Sequence, residues 1–248
     1  MKKFTIIFVL LLVLASFFAC QKSSDLLKVG TNAEYPPFEY TDPDSKEFKG
    51  LDMDIARYIA TKLNKKLEIV DIDFDSLIPS LQNNKFDMVL AAMTITDERK
   101  EKVDFSIPYY TANQSIITKS DSTLTITSEE ELAKLKIGVQ RGTTGEAYID
   151  ETFIQAKKMK DTQLVRFDNN VNAVQELLNG NVDCVIIDDS AAKGYEKLKP
   201  VKIIYTIQSN ESYGIAFPKG SKLVEKVNKI LEELLGSKQW LELIKLYF

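Results

Sequence analysis

Three polar turns in the sequence could bind a small charged molecule, and each follows an apolar segment. The first covers residues 91–99 and contains Thr94 and Arg99. A guanidinium beside hydroxyls and unpaired backbone amides is a good receptor for a carboxylate. Arg99 could equally pair with Glu98 or Asp104 on a solvated surface, so the sequence leaves two interpretations of this turn open.

The second turn covers residues 140–145 and reads Gln-Arg-Gly-Thr-Thr-Gly. Its glycine permits a tight turn, and its two threonines open a predicted helix with hydroxyls and unpaired amides that suit an anion. No Gly-Lys-Ser/Thr ending is present, so the turn is not a phosphate loop. Ordinary capping of the helix by Thr143 is the simpler alternative, and it would need no ligand.

The third turn is Asp188-Asp189-Ser190, which follows the apolar run 182–187. A carboxylate at the end of a buried strand could receive an ammonium group, although one of the two acids is expected to cap the next helix. Two anion-binding turns and one cation-binding carboxylate together match a zwitterion. An α-amino acid is the smallest common molecule with that polarity.

The segment 32–40 holds aromatic side chains that could complete such a site. Tyr35 could pack flat against an aliphatic or guanidino side chain of a ligand. The alternative is that both Tyr35 and Phe38 belong to the hydrophobic core, and this is what we expect for Phe38.

The composition narrows the class of protein. The 248 residues are 44% hydrophobic and 27% charged, which suffices for a proper core. The chain has no histidine, so a Ser-His-Asp or Cys-His catalytic site is excluded, and Cys184 in its apolar run is predicted to be a buried, inert thiol. The net charge of −4 gives no sign of nucleic-acid binding. We therefore predict no catalytic residue, metal or cofactor.

The first 20 residues predict export from the cytoplasm. Two lysines precede the apolar run 4–19, which is the layout of a secretory signal peptide and is short for a membrane span. Cys20 follows at the expected cleavage point, an arrangement that resembles the lipobox of bacterial lipoproteins, in which the cysteine is acylated. We predict a signal peptide over residues 1–19 and a lipid-anchored tether over residues 20–26, with an uncleaved anchor helix as the alternative.

Strand-like and helix-like segments alternate along the chain, which is the pattern of an α/β protein. Both halves contain a helix, a polar turn, an aspartate and an apolar strand in the same order, and this indicates two lobes of similar plan. Strands are predicted at 27–31, 67–72, 88–92, 136–140, 163–167 and 182–187. Helices are predicted at 51–63, 76–82, 146–155, 171–178, 223–235 and 240–248.

Strand-like segments also connect the lobes, at residues 115–118 and again at 201–207, and neither connection is rich in Gly, Ser or Pro. Two such crossovers form a hinge with few degrees of freedom, which suits opening and closing around a cleft. We predict one lobe from residues 27–113 and 209–248 and the other from residues 114–208.

Several motifs, in this order, resemble the family 3 extracellular solute-binding proteins, which are the amino-acid receptors of ABC importers. The resemblance covers residues 27–248. The motifs are GTNAEYPPFE at 30–39, GLDMDIA at 50–56, FDSLIPSL at 74–81, MTITDER at 93–99, VDFSIPYY at 103–110, VQRGTTG at 139–145 and YGIA at 213–216. The resemblance implies a two-lobed type II periplasmic-binding-protein fold, with two strand crossovers forming a hinge and a ligand cleft between the lobes.

The same resemblance assigns roles to individual residues. Thr94, Arg99 and Thr144 correspond to the family's receptors for the ligand carboxylate, and Asp188 corresponds to its partner for the ammonium group. The remaining candidate ligand-binding residues are Asn32, Tyr35, Leu51, Ala92, Met93, Gln140 and Arg141.

Three of these positions depart from common members of the family, since Asn32 replaces a frequent Asp, Leu51 a frequent Phe and Ala92 a frequent Gly. The loss of the charge at position 32 favours a polar neutral amino acid. A cationic ligand would require Glu34 or Glu39 to face inward.

The resemblance implies an extracytoplasmic receptor that binds a free amino acid by cleft closure and serves an ABC permease. We expect a monomer that is held to the membrane through Cys20 and has no nucleic-acid partner. Two alternatives stay open. One is a periplasmic dehydratase of cyclohexadienyl acids with Glu34 or Asp188 as its acid, and the other is a ligand-sensing partner of a signalling system.

Overall fold

The computed structural model of the protein describes residues 25–248. The predicted signal peptide, Cys20 and most of the predicted tether lie outside these residues. Within the described part of the chain, the helices are too short or too polar to cross a membrane.

The first lobe is built on a five-stranded sheet. Strand β1 (Leu26–Thr31) runs parallel to both of its neighbours, which are β5 (Lys66–Asp71) and the central strand β6 (Met88–Val89). The antiparallel strands β7 (Asp104–Phe105) and β13 (Ala216–Phe217) complete the order β5-β1-β6-β13-β7. Because β13 comes from the C-terminal segment, the first lobe contains both ends of the described chain.

A small antiparallel sheet forms between β1 and the first helix. It contains β2 (Glu34–Tyr35), β3 (Glu39–Thr41) and β4 (Phe48–Lys49). Gly50 then turns the chain into the helix with φ 119°, and a Cβ at this position would lie 2.1 Å from the carbonyl oxygen of Phe38. Only glycine accepts both that backbone angle and that approach.

The second lobe has a sheet of the same size. Strand β9 (Ile137–Gln140) runs parallel between β10 (Leu164–Phe167) and β11 (Cys184–Asp188). The long strands β8 (Tyr110–Lys119) and β12 (Val201–Tyr213) add antiparallel pairs and give the order β10-β9-β11-β8-β12. β9 and β11 are buried along their whole length, as expected for strands that are apolar up to their last residues, Gln140 and Asp188.

The chain passes between the lobes twice, through the adjacent strands β8 and β12. These strands pair from Lys119–Val201 at one end to Tyr110–Tyr213 at the other, with an irregular segment between Ile207 and Glu211. Beyond the pair, both continue into the first lobe, where the backbone N–H of Tyr109 donates to the Tyr213 carbonyl (3.0 Å). The structure therefore confirms two α/β lobes joined by two strand crossovers, and the residue boundaries of the lobes stay a prediction.

Helices cover both faces of each sheet. Their bounds are α1 (Leu51–Lys62), α2 (Phe74–Gln82), α3 (Asp97–Lys102), α4 (Thr144–Ile149), α5 (Asn170–Asn179), α6 (Asp189–Leu198), α7 (Leu223–Leu235) and α8 (Lys238–Tyr247). The predicted helix 146–155 is shorter than expected, since a π-helical turn follows α4 at Asp150–Ile154 and packs Phe153 into the core. Short 3₁₀ turns occupy Glu129–Lys134 and Asp161–Gln163. Cys184 is fully buried, and burial raises the pKa of its thiol, in agreement with an inert side chain.

Candidate functional site

Arg99 is buried between the lobes, with only 8% of its surface exposed. Its Nη1 donates to the Thr94 carbonyl (2.8 Å) in its own lobe, and its Nη2 donates to the Gly142 carbonyl (2.8 Å) of the other lobe. The guanidinium also lies over the ring of Phe74, 5.4 Å from its centroid. A guanidinium has five N–H donors, so these two bonds leave others for an anion in the cleft.

The alternative partners of Arg99 are engaged elsewhere. Glu98 pairs with Lys102 (2.6 Å), and Asp104 pairs with Lys219 (3.1 Å). The structure thus excludes the surface ion pair, because Arg99 faces the cleft, and its role as a carboxylate receptor stays a prediction. Burial lowers the pKa of Arg99, and the nearby carboxylates of Glu211 and Asp188 oppose that shift.

The two adjacent threonines of the second turn have different surroundings. Thr143 caps α4, where its Oγ1 accepts from the Glu146 backbone N–H (3.2 Å). Thr144 is the first helical residue, and its hydroxyl does not cap the helix but lines the cleft. Gly142 has φ 73° and would bring a Cβ to 3.0 Å from Cβ of Asp75, so the two lobes meet closely at this turn. The structure therefore shows the capping role for Thr143, whereas the anion-binding role of Thr144 stays a prediction.

Glu211, which the sequence analysis did not identify, joins the threonines of the two lobes. Its carboxylate accepts hydrogen bonds from Thr94 Oγ1 (2.8 Å) and Thr144 Oγ1 (2.5 Å). Gln114 Nε2 (2.9 Å) and Ser209 Oγ (3.0 Å) donate to the same side chain. Thr94, Arg99 and Thr144 form what we call the anion subsite. The only signal for Glu211 in the sequence is its place two residues before the Tyr-Gly-Ile-Ala motif.

Asp188 ends β11 at the wall of the cleft and is 8% exposed. Its carboxylate accepts hydrogen bonds from Tyr213, Tyr35 and Gln114. Burial, followed by repulsion from Glu211, raises the pKa of Asp188 to about 7. Its side chain does not cap α6, so it remains directed toward the cleft as an acceptor.

Three buried amide side chains line the cleft and form what we call the amide wall, Asn32, Gln140 and Asn170. Gln140 Nε2 donates across the lobes to Asn32 Oδ1 (2.9 Å), and Asn170 Nδ2 donates to Gln140 Oε1 (2.5 Å). Asn32 in turn donates to the Ile72 carbonyl (3.1 Å). Asn170 was not among the residues predicted from the sequence, since an asparagine near a helix start is ordinarily a cap.

Two buried acids, Asp52 and Glu39, lie beside the cleft. Asp52 accepts hydrogen bonds from the Ala92 backbone N–H (2.8 Å) and from Tyr109 (2.8 Å), and it is also bonded to Glu39. Burial raises the pKa of Asp52 to about 7, and burial and the charge of Asp52 raise the pKa of Glu39 well above its usual range. Glu39 lines the cleft, and both causes of its pKa shift oppose its ionisation. The bond to Ala92, whose φ is 45°, holds the turn that leads to Thr94.

The candidate residues from the sequence do not all reach this cleft. Asn32, Tyr35, Ala92, Thr94, Arg99, Gln140, Thr144 and Asp188 line it, together with Phe74 and Gln114. Leu51 is fully buried in the core of the first lobe, next to Phe38 and Ile55. Met93 belongs to a second core cluster of that lobe. Arg141 is exposed and pairs with Asp168 (3.3 Å).

Leu51 does not reach the cleft because it opens α1 on the face that packs against the sheet. Arg141 follows the end of β9 and points away from the neighbouring Gln140. The aromatic ring beside Arg99 belongs to Phe74, which lies within the quoted motif FDSLIPSL. Among the described residues, no group of three Cys, Asp or Glu side chains could hold a metal ion.

The sequence matches the model of one protein family. That model describes the bacterial extracellular solute-binding proteins of family 3, and it matches residues 27–248. A curated relative is the arginine-binding extracellular protein ArtP of Bacillus subtilis (strain 168), which is 35% identical over 260 residues covering 100% of this chain and 98% of that protein.

Solved structures agree with this match. An ancestral arginine-binding protein, solved once bound to arginine and once bound to glutamine, has a TM-score of 0.83 at 42% identity, covering 90% of this chain and 98% of that chain. The ancestral amino-acid-binding protein AncCDT-1, described as a precursor of cyclohexadienyl dehydratase, has a TM-score of 0.82 at 38% identity, covering 90% of this chain and 96% of that chain.

Proposed function

The chain belongs to the bacterial extracellular solute-binding proteins of family 3, and we propose that it binds a free L-amino acid between its lobes and delivers it to an ABC permease. The observation that carries this proposal is the charge arrangement of the cleft. The anion subsite would receive the α-carboxylate, and Asp188 would receive the α-ammonium group. We propose lobes of residues 27–113 with 209–248 and of residues 114–208, which would close on the ligand as a monomer.

We propose that the amide wall reads the side chain of the amino acid. Each amide offers both donors and an acceptor, so the wall can pair with a side-chain amide or with a guanidinium. The wall carries no charge, and burial opposes the ionisation of Glu39 beside it. A polar neutral amino acid such as glutamine is therefore our first candidate, and arginine is the second, since the similar ancestral protein is described with each of them.

Calorimetric titration of the purified protein with the twenty amino acids tests this function. We expect saturable binding of L-glutamine or L-arginine, with the D-enantiomers much weaker because they cannot place both charged groups on the anion subsite and Asp188. The proposal is contradicted if all twenty titrations are silent.

We also propose that binding involves no chemical conversion, although AncCDT-1 is described as a precursor of an enzyme. Incubation with prephenate or arogenate and absorbance detection of the product checks this proposal, and we expect no turnover. Glu34, one candidate acid of the dehydratase alternative, does not line the cleft, whereas Asp188 does.

Membrane attachment through Cys20 remains a proposal based on the sequence alone. Expression with a radiolabelled fatty acid would show incorporation into the wild-type protein and none into Cys20→Ser. Equal labelling of both proteins would contradict lipidation at this residue.

A further inference from the structure

Glu211 accepts hydrogen bonds from the two hydroxyls that the proposed function assigns to the ligand. Thr94 Oγ1 donates to Glu211 Oε2 (2.8 Å) from the first lobe, and Thr144 Oγ1 donates to the same oxygen (2.5 Å) from the second lobe. A hydroxyl has one proton to donate. Neither threonine can therefore donate to an amino-acid carboxylate while it donates to Glu211.

The position of Glu211 in the hinge explains how it reaches both lobes. It lies on β12 opposite Ala112 of β8, directly after the irregular segment that begins at Ile207. Within that segment Asn210 has φ 51°, so the extra residues turn the backbone before the strand resumes. This places the Glu211 carboxylate between Thr94 and Thr144.

The charges around Glu211 match those that a ligand carboxylate would meet. Arg99 is the nearby cation, and its pKa is influenced by Glu211 as well as by Asp188. Gln114 Nε2 donates to Glu211 (2.9 Å). The side chain is only half-buried and borders an outer groove, into which it could swing when another carboxylate takes its place.

We propose, on the basis of the proposed function, that Glu211 is an internal competitor of the ligand: its carboxylate occupies the anion subsite and bridges the two lobes until the α-carboxylate of an amino acid displaces it. The competition lowers the apparent affinity, because only the fraction of molecules with Glu211 displaced is competent to bind. It also favours partial closure of the lobes before an amino acid arrives, because one carboxylate holds a hydroxyl from each lobe.

Two variants of the full-length protein test the competition, Glu211→Ala and Glu211→Gln, titrated with L-glutamine and L-arginine. We expect Glu211→Ala to bind about tenfold more tightly than the wild type, and Glu211→Gln to shift in the same direction by less, since an amide is a weaker acceptor than a carboxylate. The matched control is Glu151→Ala, which removes a carboxylate from the same outer groove without touching either threonine. We expect its affinity to stay within about twofold of wild type, because an exposed charge is screened.

Small-angle X-ray scattering without added amino acid tests the bridge between the lobes. We expect a larger radius of gyration for Glu211→Ala than for the wild type and for Glu151→Ala, and a return to one common value when ligand is added. Unchanged or weaker binding by Glu211→Ala would overturn the competition, because a residue that supports the ligand cannot be its competitor.

The two proposals fail in distinguishable ways. If no variant binds any of the twenty amino acids, the proposed function fails and the competition for a ligand fails with it. The scattering then tests the contact between the lobes independently of ligand binding. A larger radius of gyration for Glu211→Ala supports that contact, and equal radii overturn it.

Discussion

The anion subsite and the amide wall lie in the same cleft and join the same two lobes, but they are built differently. The anion subsite combines the charge of Arg99 with two hydroxyls, and both hydroxyls already donate to the carboxylate of Glu211. The amide wall is neutral, and its three side chains satisfy one another. A charged group buried without a partner is costly, so the first region demands an anion, whereas the second accepts any partner that replaces amide hydrogen bonds.

This difference separates the chemical groups that every ligand must carry from those that can differ between ligands. Every amino acid carries the groups that the proposed function assigns to the anion subsite and Asp188, so on that proposal those residues would define the class of ligand. On the same proposal, the amide wall would distinguish among members of the class. The two regions should therefore respond differently to mutation, with large losses common to all ligands at the first and changes in preference at the second.

The largest expected effect is at Arg99. We expect Arg99→Ala to weaken the binding of every accepted amino acid by about 3 kcal/mol, because a charge-assisted partner of the carboxylate is lost in a buried site. Calorimetric titration measures the change. Arg141→Ala is the control, since that arginine is exposed and pairs with Asp168, and its effect should stay below about 0.5 kcal/mol. Equal effects of the two variants would show that the anion subsite does not hold the ligand.

Asp188 should make binding depend on pH. Its pKa is about 7, and it must be ionised to receive an ammonium group. Affinity should therefore rise as the pH rises from 5 toward 7, by at most about tenfold per pH unit. Titrations at several pH values measure this slope. Asp188→Asn should bind weakly at every pH and lose the slope, while Asp189→Asn, its neighbour on α6, should retain it.

The free energy of unfolding of the protein without added amino acid should fall as the pH rises, whereas the affinity for the ligand should rise. Burial raises the pKa of Asp188 above the ordinary 3.8, so the folded protein holds a proton that the unfolded chain has released. The stabilisation is fully present below about pH 4 and is lost as the pH rises through about 7, by up to about 1.4 kcal/mol per pH unit. Denaturant unfolding of the wild type and Asp188→Asn between pH 4 and 8 measures the difference. A wild-type slope no steeper than that of the variant would contradict the shift.

Substitutions in the amide wall should change which amino acid is preferred, with a smaller loss of affinity. We expect Asn32→Asp to improve the binding of L-arginine relative to L-glutamine by about tenfold, because a carboxylate accepts from a guanidinium but cannot donate to a side-chain carbonyl. The ratio of the two dissociation constants is the measurement. Asn179→Asp, an exposed substitution of the same kind, should leave the ratio unchanged. An unchanged ratio for Asn32→Asp would remove the amide wall from specificity.

Much of the cleft could be predicted from the sequence because its residues follow strands. Thr94, Gln140 and Asp188 lie at or just beyond the ends of apolar segments, and the carboxyl ends of strands in an α/β sheet face the binding crevice. The site residues that the sequence did not predict come to the cleft only through tertiary contacts. Gln114 bonds to Glu211 across 97 residues of sequence, and its role depends on the pairing of two hinge strands.

The sequence by itself determined the alternation of strands and helices, the family, and the polarity of the turns, because hydrophobic period and turn chemistry are local properties. The tertiary structure alone decided which side of a turn faces the cleft. It buried Leu51 in the core, turned Arg141 outward, and brought Glu211 from the hinge onto Thr94 and Thr144. These outcomes depend on strand register and on how the two lobes meet, and both are set by contacts between residues far apart in the chain.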